Sequence, residues 1–228
     1  MKILALDSCA TTASVAVTED EQLLGQYTVH NMLTHSDTLL PMTESLLKSV
    51  GWGIADVELF VCAAGPGSFT GVRIGCATLK GLAFGSGRPC IGVSTLESLA
   101  CGIEEAAKGS VVCPLMDARR QQVYNALFRD GVRLTEDRAI AIDALADELR
   151  GYPEEICFVG AVQLVERSAL SAFPRRVLPA AWAGHNAYGA AKCGFRKFTA
   201  APGAYPDEAL LPIYLRPSQA ERTRSQEN

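Results

Sequence analysis

The stretch Gly65-Pro66-Gly67-Ser68-Phe69-Thr70-Gly71 has the makings of an anion-binding turn. Its glycines let backbone N–H groups approach a ligand, and the segment after it has a helical pattern, whose first free N–H groups attract negative charge. Two phosphate motifs fail here. A P-loop places Lys and then Ser or Thr directly after its last glycine to hold phosphate and magnesium, whereas Gly71 is followed by Val72 and Arg73. The dinucleotide fingerprint needs GxGxxG, and Gly65, Gly67 and Gly71 are spaced one residue too wide. Two readings stand: an anion site, or a tight turn set by Gly65 and Gly67 with Ser68 or Thr70 capping the helix, which is the commoner use of such residues.

Other chemistry-bearing residues are each open to two readings. Asp7, at the end of the run Lys2 to Asp7, either holds metal-bound water in a cleft or caps local N–H groups in a turn. Arg119 and Arg120, in "DARRQQ", either meet a phosphate or carboxylate at a subunit junction or form a charged hairpin turn. Arg73 and Lys80 share a helix face that suits an acidic partner, an RNA backbone or plain solvent. Cys9 and Cys62 have no His that sequence can pair with them, which argues against a thiol nucleophile. His30 and His35 are five apart on different predicted elements and His185 stands alone, so no pair at i and i+4 puts two imidazoles on one helix face. An exposed or capping role is expected for these histidines, and no metal site.

Composition narrows the classes. The 228 residues suit one large unit or two small lobes, and a 48% hydrophobic content supports a full core. A net charge of -4 is not that of a nucleic-acid magnet, so any RNA contact needs a local patch or a partner. The eight cysteines sit singly in apolar runs such as "FVCAAG" and "VVCPLM" without a CxxC pair, which reads as buried thiols of a reducing compartment. "MKILALDSC" meets a charge at Asp7 too soon for a signal peptide, and no run approaches the roughly 20 residues that span a bilayer. A cytoplasmic location without membrane contact is expected.

These residues need positioning elements. "KILALDS", "ASVAVTE" and "LLGQYTV", joined by short turns, predict an antiparallel meander. In "HSDTLLPMTESLLKSVG" the residues Leu39, Leu40, Met42, Leu46, Leu47 and Val50 share one sector at roughly 100° per residue, an amphipathic helix that ends near Gly51 to Gly53. "DVELFVCAAG", "TGVRIGCATLKGLAFGSG" and "PCIGVS" read as strand, helix and strand, which with the meander gives a ribonuclease H-like mixed sheet. On the second of these helices Gly71, Gly75, Thr78, Leu82 and Gly85 form a stripe of mostly small residues beside an apolar one of Val72, Cys76, Leu79 and Ala83. Each helical glycine costs up to about 1 kcal/mol against alanine, so the stripe implies a close backbone neighbour, either the preceding helix or another subunit. "TLESLACGIEEAAKG" predicts a further helix. A weaker second set follows a soft boundary at Ala107 to Ser110: "SVVCPLMDAR" and "QQVYNALFRDG" as strands, "AIDALADELRG" as helix, "EICFVG" as strand and "QLVERSALSAF" as helix. From Pro174 the pattern loosens; "HNAYGAAKCGF" admits a helix, "LPIYLRPS" a strand, and "QAERTRSQEN" a frayed polar tail.

Five segments in this order, "KILALDSCATTASVAV", "THSDTLLPMTESLL", "GPGSFTGVRIG", "DARRQQVY" and "LPIYLRP", resemble the TsaB (YeaZ) family, least clearly between Arg133 and Pro206. The resemblance implies an α/β ASKHA fold (ribonuclease H-like, actin-like) of two lobes, here 1–108 and 109–228, with mixed sheets flanked by helices. It implies a partner subunit in forming N6-threonylcarbamoyladenosine at tRNA position 37 of ANN-reading tRNAs, beside a TsaD-like catalytic subunit and a TsaE-like ATPase. Family members pair through the two helices after the meander, here Thr34 to Val50 and Thr70 to Gly85, with TsaD or, in isolation, as a homodimer. That places Leu39, Thr43, Leu46, Leu47, Gly71, Arg73, Gly75, Thr78 and Leu82 at the expected interface.

Active relatives need phosphate loops that this chain keeps only in outline. Asp7 to Thr11 has Cys9 where glycine would give the backbone room, Asp117 is followed by Ala118, Arg119 and Arg120, and Gly160 is followed by Ala161 instead of a second glycine. With Gly65 and Gly67, these are degenerate nucleotide-loop positions, and the paired metal-binding histidines of TsaD-like enzymes are missing. The expectation is a non-catalytic scaffold with no cofactor or metal, meeting tRNA only through the complex. The alternatives are an active ASKHA-type ATPase or kinase, and a glycoprotease-like peptidase, which here lacks both a metal pair and a nucleophile with a base.

Overall fold

The runs KILALD and ASVAVTE are buried at all but one position each, as suits strands covered on both faces. In the computed structural model, which describes residues 1–30, 33–203 and 205–216, both are central strands. The first sheet holds β1 (Lys2–Asp7), β2 (Ala13–Glu19), β3 (Gln22–Val29), β4 (Leu59–Ala63) and β5 (Cys90–Val93) in the order β3-β2-β1-β4-β5. The meander is antiparallel, with Asp7 opposite Ser14, whereas β1, β4 and β5 run parallel. Parallel pairing needs crossovers, and α1 (His35–Ser49) and α2 (Phe69–Ala83) supply them. Both helices match their predicted spans closely.

The second sheet follows α3 (Thr95–Gly102). It contains β6 (Val111–Asp117), β7 (Gln122–Asn125), β8 (Phe128–Arg129), β9 (Val132–Arg133), β10 (Arg138–Ala141) and β11 (Ile156–Gly160), with α4 (Ile142–Leu149) before the last strand. β7 and β8 continue along one edge of β6, and β11 runs parallel along the other. The helix predicted over "QLVERSALSAF" is instead α5 (Gln163–Glu166) and a separate helical turn, Ala169–Ala172. Ser168 is extended between them, and its side chain caps the second turn at the Leu170 N–H. Two sheets flanked by helices make an actin-like, ASKHA arrangement, as the resemblance implies.

After α6 (Ala180–Ala183) comes the element that the sequence undersold, α7 (Ala187–Ala200). It packs across β1, β2, β4 and β5 and against α3, opposite α1 and α2. Ala187, Gly189, Ala190, Ala191, Lys192, Cys193 and Gly194 are all buried in its first half, while Lys197, Thr199 and Ala200 are exposed near its end. The two buried clusters therefore do not part at residue 108: the larger joins the first sheet to Ala187, Ala190, Ala191, Cys193 and Leu210. "LPIYLRPS" forms no regular strand; its Ile213 N–H donates to the Ala64 carbonyl at 2.6 Å. Pro217, Ser218 and the predicted polar tail lie outside the described residues.

An ion-pair cluster clasps the sheets. Ser94, the N-cap of α3, donates to Asp137 at 2.5 Å, and Arg133 bonds Asp137 at 2.6 Å and Glu97 at 3.1 Å. The cores carry more of the stability. Phe60 on β4 is fully buried, so Phe60→Ala is expected to cost about 3–5 kcal/mol in chemical denaturation.

Candidate functional site

β1 and β4 end side by side, Leu6 pairing with Cys62, so the Asp7-Ser8-Cys9 turn meets the Gly65 turn that launches α2. The Cys9 N–H donates to Asp7 Oδ1 at 2.9 Å, and the Cys9 carbonyl accepts from the Ser68 N–H at 2.7 Å. Ser8 Oγ donates to the Gly71 carbonyl at 2.9 Å, and Cys9 Sγ to the Ala63 carbonyl at 3.1 Å. Ser68 caps α2, accepting from the Gly71 N–H at 3.3 Å, one of the two capping residues foreseen.

The glycine stripe serves this contact. A Cβ at Gly71 would strike the Ser8 carbonyl, one at Gly75 would lie 2.5 Å from Ser8 Oγ, and one at Gly67 would lie 2.5 Å from the Cys9 carbonyl. The neighbour nearest to Gly67, Gly71 and Gly75 is the chain's own β1–β2 turn, which the sequence reading did not name. Gly65, at φ +116°, abuts the Ile213 carbonyl, and its own carbonyl accepts from the Thr95 N–H at 2.9 Å.

Asp7 is 1% exposed and faces His185, whose Nδ1 lies 3.3 Å from Asp7 Oδ2. His185 is itself buried, a correction to the exposed or capping role expected for it; 178 residues separate the pair, which no local pattern can signal. His35 Nε2 is 2.8 Å from the Ala10 carbonyl, and His30 is exposed. Among the described residues, no three His, Cys, Asp or Glu side chains gather as a metal site would need.

The second turn differs. Asp117 Oδ1 accepts from the Arg119 N–H at 2.7 Å, and Arg119, Arg120 and Gln121 take φ values of +64°, +53° and +60°. The backbone keeps a glycine-like conformation while carrying long side chains. Gly160, at φ +91°, abuts the Leu115 carbonyl, and the Ala161 N–H donates to that same carbonyl at 2.7 Å.

Of the expected interface residues, Leu39, Thr43, Leu46, Leu47, Gly71 and Gly75 face the interior, and Thr78 and Leu82 are half-buried. Amphipathic patterning finds the side of a helix that meets its own sheet, which is why these residues were picked. Outward on the same two helices stand Leu40, Pro41, Glu44, Ser45, Lys48, Thr70, Ala77 and Gly81. Leu40, placed with the buried sector by its spacing, is 50% exposed. Leu33 and Phe84 flank this face at 61% and 82% exposure. Arg73 and Lys80, seven apart on α2, both reach the C-terminal segment: Arg73 stacks over Phe69 and bonds Tyr214 Oη at 2.8 Å, and Lys80 reaches the Glu208 carbonyl at 3.4 Å. Tyr214 stacks on Phe69 with centroids 4.1 Å apart.

All eight cysteines are buried and free. Burial, helped by Asp7, pushes the Cys9 thiol well up; a hydrogen bond with Cys76 and then burial do the same to Cys62. Burial raises Cys90 and Cys157 to about 11 each. A raised thiol stays protonated near neutral pH and is a poor nucleophile.

Comparison with known proteins adds a second line. The TsaD family, described as tRNA N6-adenosine threonylcarbamoyltransferase, matches residues 30–186. The tRNA threonylcarbamoyladenosine biosynthesis protein TsaB of Escherichia coli is 38% identical over 132 residues, 57% of this chain and 55% of that protein. TsaB of Bacillus subtilis is 31% identical over 164 residues, 70% of this chain and 71% of that protein. The chain thus spans little more than half the length of the Escherichia coli relative. The solved structure of YeaZ from Pseudomonas aeruginosa superposes with a TM-score of 0.74 at 27% identity, covering 94% of this chain and 99% of that one.

Two outcomes follow. Asp7→Ala strips a buried N–H and a buried imidazole of their acceptor and is expected to lower stability by about 1–3 kcal/mol for each group left unpaired, read by thermal melting. Native protein at pH 8 is expected to resist alkylation at Cys9, Cys62, Cys90 and Cys157, with all eight thiols labelled after unfolding, read by mass spectrometry.

Proposed function

The chain belongs to the TsaB (YeaZ) family, and from that membership we propose that it is a non-catalytic scaffold subunit in forming threonylcarbamoyladenosine on ANN-reading tRNAs in the cytoplasm. It binds a TsaD-like catalytic subunit through the outer faces of α1 and α2 and orders that partner's active site. A TsaE-like ATPase takes part, and the isolated chain pairs with itself through the same face. The observation that carries this reading is a contrast: the first turn spends its polar groups on α2 and His185, while α1 and α2 leave apolar Leu40, Ala77 and Phe84 exposed.

The contrast has a physical basis. A phosphate-binding turn needs N–H groups and space at the same place, and here the Cys9 N–H is already bonded and the backbone of α2, admitted by its glycines, lies against the turn. Small, exposed Ala77 and Gly81 on α2 let a partner helix approach closely, and burying an exposed apolar side chain such as Leu40 of α1 contributes about 1.5–3 kcal/mol. Substitutions in the docking face must point outward, which excludes Gly75: a side chain there would collide with Ser8 before it reached any partner.

Ala77→Arg is therefore expected to abolish co-elution with a TsaD-like subunit while leaving the melting temperature of the isolated chain within a degree or so, since surface substitutions usually stay within about 0.5 kcal/mol. Co-elution that survives Ala77→Arg and Leu40→Arg together would overturn the docking face. Tight ATP binding by the isolated chain, lost on Asp7→Ala, would overturn the scaffold reading in favour of an ATPase.

A further inference from the structure

The turn between β6 and β7 is held tightly yet conformationally disfavoured. Asp117 Oδ1 accepts from the Arg119 N–H, the Ala118 N–H donates to the Gln122 carbonyl at 3.0 Å, and the Gln122 N–H to the Arg119 carbonyl at 3.1 Å. Arg216 braces it from outside, its Nη1 donating to the Ala118 carbonyl at 2.9 Å. Within this frame Arg119, Arg120 and Gln121 all sit in the left-handed region, which crowds any residue with a Cβ and which glycine occupies freely. A turn selected for stability alone would carry glycine at such positions. Instead it carries two arginines, both exposed, whose guanidinium groups have no hydrogen bond or ion pair among the described residues.

An exposed indole stands on the helix that packs against β11, the parallel neighbour of β6. Gly160 on β11 pairs with Leu115 on β6, two residues before Asp117. Arg175 bridges Ile156 in parallel, and Pro179 is the N-cap of α6. α6 packs against β11, and it carries Trp182, an indole 54% exposed. Paired guanidiniums with an open indole match the chemistry of unstacked RNA: arginine forks engage phosphates, and an aromatic face stacks a base. The chain carries a net charge of -4, so this turn is the local basic patch that RNA contact requires.

We propose that the Arg119-Arg120 turn and Trp182 form an RNA-binding edge, through which this chain itself holds phosphates and a base of the tRNA that the complex modifies. This departs from the expectation that tRNA is met only through the partner. It rests on the placement of the chain in a tRNA-modifying complex, and it concerns a surface other than the outer face of α1 and α2.

The test uses the chain with its TsaD-like subunit, and the chain alone, titrated by fluorescence anisotropy with an unmodified ANN-reading tRNA transcript between about 50 and 200 mM salt. With Arg119→Gln and Arg120→Gln combined, the complex is expected to co-elute unchanged while RNA affinity falls at least about tenfold and the salt slope loses about two units. Trp182→Ala is expected to weaken binding about tenfold with the slope unchanged. Arg119→Gly with Arg120→Gly separates function from fold: the same affinity loss, but a higher melting temperature as the backbone is relieved. Unchanged affinity in the arginine variants overturns the inference. So does loss of the protein complex in those variants, which would assign the arginines to a carboxylate of the partner, and so does a lower melting temperature for the glycine pair. If the unaltered chain and the TsaD-like subunit do not co-elute, the docking reading falls, while the titration on the chain alone still decides the RNA edge.

Discussion

A helix and a turn can touch backbone to backbone only where no Cβ stands between them, and α2 meets the Ser8-Cys9 turn in this way. Gly67, Gly71 and Gly75 keep the way clear, and the Ser8 hydroxyl and the Cys9 carbonyl close it with hydrogen bonds to the start of α2. Each such bond contributes only about 1 kcal/mol net, but a buried partner left unpaired costs more than that, so the contact is fixed by the cost of its alternatives. With α2 seated there, the other elements have fixed places. β1 and β4 lie side by side beneath it, Asp7 turns toward His185, and Ile213 covers the Gly65 turn.

On the opposite face of the sheet, α7 does comparable work with equally small residues. It returns from the second half of the chain to cover β1, β2, β4 and β5, so the first sheet depends on residues more than a hundred positions away. The ion pairs around it are secondary. Arg196 bonds Glu21 at 2.7 Å and Glu104 at 2.8 Å, but it is 40% exposed, and pairs in contact with water contribute about 0–1 kcal/mol. Packing of alanine and glycine surfaces holds this helix, and the charges orient its rim.

Packing so complete on the inside leaves the outside free to differ. The outer faces of α1 and α2 combine small and apolar residues, and the β6–β7 turn holds arginines in a conformation that favours glycine. Neither feature serves the fold, and sites where a local preference is overridden without a gain in packing are where function is sought. The two turns thus differ: the first packs against its own helix, and the second carries arginines at left-handed backbone positions.

Much of this was legible in the sequence. Apolar runs and short turns specify the meander, the α1 and α2 spans follow from the 3.6-residue period, and the failure of "GPGSFTGVRIG" as a P-loop needs only its next two residues. The small-residue stripe announces a close approach, because glycine in a helix is costly unless space is required. What it approaches could not be read, since Ser8 lies 63 residues from Gly71 and is joined to it only by folding. The same holds for the burial of His185 against Asp7 and for the sheet face that α7 covers, both joined to the first half of the chain only by folding. Local pattern fixes which face of a helix is apolar. Only the tertiary structure decides what that face covers, and so which residues remain outside to meet a partner.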